Sequence, residues 1–159
     1  MPGHPRRAPR AYRQRSRGLT LIELLLAVAV LGVLASLAFS AYPDYRERVR
    51  VSQARTEISG IAMQIKNYHA YNYSYPDSLN DVNLDSLDPW GNPYRYTNLI
   101  GPGNGQARKD RKLNPLNSDF DLFSTGKDGQ FKTQISNKES LDDVIRANDG
   151  AFIDLASKY

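Results

Sequence analysis

A single carboxylate, Glu23, stands in an otherwise uncharged run from Leu19 to Tyr42. A lone acid at the centre of a hydrocarbon-embedded helix costs about 2.5–3.5 kcal/mol on insertion scales. Such an acid calls for a compensating cation, and the simplest source is another copy of the same chain. The junction Arg17-Gly18-Leu19-Thr20-Leu21-Ile22-Glu23 places it: a basic segment stops at a glycine, and the acid is the fifth residue after that stop. Other reactive groups are sparse. The chain has no cysteine, which removes disulfides, thiolate metal sites and thiol nucleophiles. Of its two histidines, His4 lies in the basic segment and His69 at the end of a helical pattern. No Gly-rich phosphate loop, H-E-x-x-H or G-x-S-x-G string is present. These residues point away from an enzyme and toward assembly.

The elements that position Glu23 follow from composition. The first 18 residues carry six arginines and no acid; the chain has 21 Lys+Arg and 17 Asp+Glu, so the other 141 residues carry 15 and 17. Their net charge is −2, and the basic character of the whole chain is no argument for a nucleic-acid partner. The arginines read instead as a cytoplasmic anchor under the positive-inside rule. Leu19 to Tyr42 is long enough to cross a bilayer as a helix. Pro43 predicts a bend, since proline lacks an N–H donor. Beyond it, Val51, Ala54, Ile58, Ile61, Ile65 and Tyr68 recur at alternating steps of three and four, one face of a helix. Arg46, Glu47, Arg50, Arg55, Glu57 and Lys66 occupy the opposite face.

The remainder reads as a small head. Tyr68 to Tyr75, an aromatic cluster with His69, is expected to cover a core edge where the chain leaves the helix. Asp77 or Ser78 can cap a short turn through Leu79. Asp88-Pro89-Trp90-Gly91-Asn92-Pro93-Tyr94 is a compact turn anchored by the sole tryptophan. Tyr94–Thr97 and Phe120–Ser124 read as strands, and Gly101–Lys112 as a polar loop. The Asp128-Gly129 pair predicts a type I′ hairpin with a return strand over Phe131–Ile135. An acidic turn and a weakly apolar tail run from Leu141 to Tyr159.

Gly18 followed by Leu-Thr-Leu-Ile-Glu resembles the processing site of the type IV pilin family. The resemblance implies cleavage by a prepilin peptidase between Gly18 and Leu19, N-methylation of Leu19, and Glu23 in the place of the family's assembly glutamate. The family's usual helix proline is displaced here: that position is Ser40, and the proline comes three residues later. The Trp90 turn, the Asp-Gly hairpin and the lack of cysteine are most similar to the major pseudopilin of type II secretion systems. That implies an α+β fold, in which one long N-terminal helix, transmembrane and then amphipathic, packs on a small antiparallel sheet. Residues 1–18 would be a leader that is removed, 19–42 the transmembrane and assembly helix, and 43–159 the amphipathic half with a periplasmic head. The subunit would be stored in the inner membrane and polymerised into a periplasmic filament that helps export folded proteins. Its partners would be copies of itself, minor pseudopilins, the peptidase, an inner-membrane assembly platform and lipid. The resemblance also implies one calcium ion in the C-terminal loops, for which Asp128, Asp142 and Asp143 are the candidate ligands. Calcium takes six to eight oxygens, and the EF-hand pattern is absent. Two other readings stand beside this one. The chain could be a pilin of a surface fibre serving adhesion, motility or DNA uptake. It could also be a soluble binding module released by ordinary signal peptidase at Ala38-Phe39-Ser40.

Overall fold

The structure, a computed structural model, describes residues 18–100 and 106–159. The arginine-rich segment, His4 and the glycine-rich residues 101–105 lie outside the described residues. A helix, α1, spans Leu21–Asn72, and its helical assignment continues through Pro43. The missing N–H at that proline therefore does not end the helix. The chain divides into two units between Tyr42 and Pro43.

In the first unit, every large apolar side chain from Leu19 to Phe39 is at least 52% exposed. A helix that is apolar all round belongs in lipid or inside a larger assembly rather than on a core. Among the described residues, α1 is the one helix long and apolar enough to cross a membrane.

The second unit contains the rest of α1 and a four-stranded antiparallel sheet. Its strands are β1 (Arg95–Asn98), β2 (Phe120–Ser124), β3 (Val144–Ala147) and β4 (Phe152–Leu155), paired in chain order. The predicted helical stripe is the one that is buried: Val51, Ala54, Ile58, Ile61 and Ile65 pack with Phe120, Leu122 and Val144. Tyr68 at its end is only half-buried. Because side chains alternate along a strand, Phe123 and Ile145 face the other way. There they meet a second cluster with Leu116, Ile135, Ala147 and Ala156. All five residues of β2 are consequently buried.

Three sequence expectations change. Phe131–Ile135 is not a return strand. A type I′ turn needs positive φ at both central residues; Gly129 has φ +69°, whereas Asp128 is not among the described residues with positive φ. The segment bonds a loop instead, with Thr133 and Ile135 paired to Lys109 at 2.8 and 3.0 Å. The partner of β2 is β3, through Phe123–Ile145 and Ser124–Val144. The tail supplies β3 and β4, joined in a four-pair register from Val144–Leu155 to Ala147–Phe152. The aromatic cluster also splits. Tyr75 stacks on His69 at 4.2 Å and tilts onto Phe120 at 5.4 Å, while Tyr71 and Tyr73 are exposed.

The helix-facing core holds one guanidinium. Arg146 is 1% exposed and lies over the Phe120 ring at 3.9 Å. Asp119 takes it in a fork, at 2.8 Å from Nη1 and 2.7 Å from Nη2, and Nη1 also donates to the Phe120 carbonyl at 2.8 Å. Removing one partner of a buried pair leaves the other uncompensated, at about 3–5 kcal/mol. Asp119→Ala is therefore expected to destabilise the head by about 3 kcal/mol, read as a lowered urea midpoint at unchanged slope.

Candidate functional site

Gly18 and Leu19 precede α1 and are exposed, and a side chain at Gly18 would meet no atom within 4 Å. Glu23 lies in the first helical turn. Its Oε2 accepts from the Thr20 backbone N–H and from the Thr20 hydroxyl, both at 2.8 Å, while the Glu23 N–H donates to the Thr20 hydroxyl at 3.3 Å. This is a reciprocal capping box, which satisfies donors that a helix start leaves orphaned. Thr20 is the functional neighbour that the reading of Glu23 as a lone acid overlooked. Its signal was in the sequence, as a Thr-x-x-Glu spacing ahead of an apolar run.

The three acids considered for calcium do not converge. Asp142 Oδ2 accepts from the Lys127 and Asp128 N–H groups at 2.9 and 3.2 Å, and its backbone crowds Gly126, where any side chain would strike the Asp142 carbonyl. Asp128 Oδ1 accepts from the Gln130 N–H at 2.8 Å, an Asx turn. Asp143 points the other way, into the loop-covered core, with 0% exposure. There the Arg108 guanidinium meets Asp143 Oδ2 at 2.6 Å. Among the described residues no group of three or more His, Asp or Glu gathers as a metal site. As arranged, these side chains do not fit a six-to-eight-oxygen ion. Burial works against both charges of the pair, raising the Asp143 carboxyl and lowering the Arg108 guanidinium, and each pulls the other back toward its charged form.

The tryptophan turn is built around Asp88, which is 4% exposed. Its Oδ1 accepts from the Trp90 and Asn92 N–H groups at 3.0 and 2.8 Å, and its Oδ2 from the Ser124 hydroxyl of β2. Gly91 supplies the positive φ, +95°, that closes the turn. Two acids on the polar face of α1 then receive the turn's aromatic donors. Trp90 Nε1 donates to Glu47 at 3.1 Å, and the Tyr94 hydroxyl donates to Glu57. Burial first, then Glu57, holds the Tyr94 hydroxyl well above the ordinary tyrosine range. Asn92 reaches across to the Asp-Gly turn, its Nδ2 donating to the Gly126 carbonyl at 2.9 Å. The two distinctive strings of the sequence thus form one unit. Leaving buried donors unpaired costs about 1–3 kcal/mol each. Asp88→Ala is expected to cost about 3 kcal/mol in all, with red-shifted emission from Trp90, the sole tryptophan.

Comparison with known proteins agrees with this arrangement. The prokaryotic N-terminal methylation motif matches residues 13–39. The chain is 29% identical over 140 residues to the type II secretion system core protein G of Pseudomonas aeruginosa, covering 74% of this chain and 88% of the relative. It is 26% identical over 144 residues to the core protein G of Escherichia coli K12, covering 76% and 88%. A fimbrial protein of Neisseria meningitidis is 26% identical over 147 residues, covering 89% of this chain and 85% of the relative. No solved structure matches. The chain thus carries the N-terminal methylation motif at the start of an all-round apolar helix, and it is similar both to core protein G of type II secretion systems and to a fimbrial protein.

Proposed function

We propose that this chain is the major subunit of a type II secretion pseudopilus. The observation that carries the reading is the bonded pair of Trp90 turn and Asp-Gly turn, held at Asn92–Gly126 in a head without cysteine. Similarity to core protein G over 88% of that relative's length supports it. In this reading a prepilin peptidase cuts between Gly18 and Leu19 and methylates the Leu19 amine. The apolar segment holds the subunit in the inner membrane, with the head in the periplasm. An assembly platform then draws it into a filament of identical copies, joined by minor pseudopilins, and the filament helps export folded proteins.

Glu23 has a defined task in that assembly. In the single chain its carboxylate is occupied by Thr20 within its own turn. Those neutral donors can be exchanged for the amine of a neighbouring subunit's Leu19, which adds a charge-assisted bond. Register is then set by charge and cohesion by apolar packing. A surface-fibre pilin is the second reading, favoured by the similarity to the Neisseria fimbrial protein over 85% of its length.

Intact-mass analysis of protein from its native membrane is expected to give a chain beginning at methylated Leu19. A start at Ala41 overturns the filament reading. Glu23→Ala is expected to leave processing and membrane insertion intact while filament yield falls at least tenfold; wild-type yield removes the role assigned to Glu23. Deletion of the chain is expected to abolish export of folded enzymes. Intact export with loss of surface fibres assigns the pilin reading instead.

A further inference from the structure

The loops on the outer face of the sheet are closed by an arginine. Arg108 is 2% exposed and comes from the segment 106–117. Its Nη2 meets Asp143 at 2.6 Å, and its backbone N–H donates to Asp121 Oδ2 at 2.6 Å. Its guanidinium lies over the Phe123 ring at 4.1 Å and reaches toward Phe131 at 5.7 Å. Its Nε and Nη1 have no hydrogen-bond partner among the described residues. The neighbouring Lys109 is tied to Pro115 and to Gln134. One side chain therefore joins the 106–117 segment, the segment after the Asp-Gly turn and the start of β3. Cross-linking loops by gathering buried carboxylates around one cation is the structural task of a bound metal.

We propose that Arg108 is the resident cation of this loop layer, and that the head holds its C-terminal loops without a divalent ion. Three arrangements support this. Asp143, the most buried of the acids considered for calcium, is already neutralised at contact distance by Arg108. Asp142 spends Oδ2 on the backbone N–H groups of Lys127 and Asp128, and Asp128 spends Oδ1 on Gln130. A calcium ion reaching Asp143 would also stand beside a guanidinium in a low-dielectric site, where like charges repel strongly. Calcium needs at least six oxygens, and the guanidinium holds the most buried of the candidates.

The test is thermal unfolding of the full chain in detergent micelles, followed by Trp90 fluorescence, in millimolar calcium and in excess EGTA. The signal reads the head alone, so the result is independent of which filament the chain builds. Equal Tm in both conditions is expected. A calcium site filled at about 100 times its Kd would raise Tm by roughly 10 °C, and a rise of that kind overturns the proposal. Three chains separate a charge role from a packing role. Tm is expected to fall in the order wild type, Arg108→Lys, Arg108→Gln, since lysine keeps the cation and glutamine does not. Arg108→Gln melting with wild type, or Arg108→Lys melting at or below Arg108→Gln, overturns the role of the charge. If neither variant folds, the wild-type calcium titration still decides.

Discussion

Because every residue of Phe120–Ser124 is buried, both faces of the central strand need a cover, and the two covers differ in kind. One is the aliphatic stripe of α1, which meets Phe120 and Leu122 with Ile58, Ile61 and Ile65. The other is made of loops, and loops carry backbone polar groups that must be bonded wherever they are buried. Lys109 meets this requirement by bonding Thr133 and Ile135, and Leu116 by donating to the Arg108 carbonyl at 2.9 Å. Loops also bring charged side chains inward. Arg108, Asp121 and Asp143 are all buried on that face, and each has to find its partner there. The Arg108–Asp143 pair follows from covering this face with irregular chain.

The parts legible in the sequence are those set by local pattern. The stripe from Val51 to Ile65 follows the helical period, and β2 falls at the residues its apolar run suggests. The Asp88–Tyr94 turn is written in its prolines and glycine. The illegible parts depend on partners distant in sequence. Val144–Ala147 contains Arg146, which reads as an exposed break until Asp119 and the Phe120 ring enclose it. Arg108 sits beside a polar, glycine-rich stretch, and nothing local marks it for burial. The Asp-Gly pair misled for the converse reason: it is a strong local hairpin signal, but Lys109 captured the chain that follows. Glu47 and Glu57 looked like solvated acids because their donors, Trp90 and Tyr94, lie 43 and 37 residues away.

Along α1 the surroundings that the sequence demands change while the backbone stays helical. From Leu19 to Phe39 the apolar side chains point all round and are exposed in the single chain. From Val51 onward they keep to one face, and that face is covered. An exposed apolar surface as extensive as the first is stable in lipid or against further copies of itself, and the filament reading uses both states in turn. The second surface is satisfied within the chain and has nothing left to exchange.

The same distinction separates the two most consequential carboxylates. Asp143 is paired with a guanidinium stacked on Phe123 inside the core, so separating them requires opening the loop layer. Glu23 is held by Thr20 on an exposed turn, through neutral donors of its own capping box. Those bonds satisfy the acid in an isolated subunit, yet a cationic donor can replace them without unfolding anything. A charge-assisted bond is roughly twice as strong as a neutral one, and in the filament reading that difference gives the proposed exchange its direction. Permanent pairing suits the acid that closes a head, and in the filament reading replaceable pairing suits an acid that passes from a membrane to a neighbour.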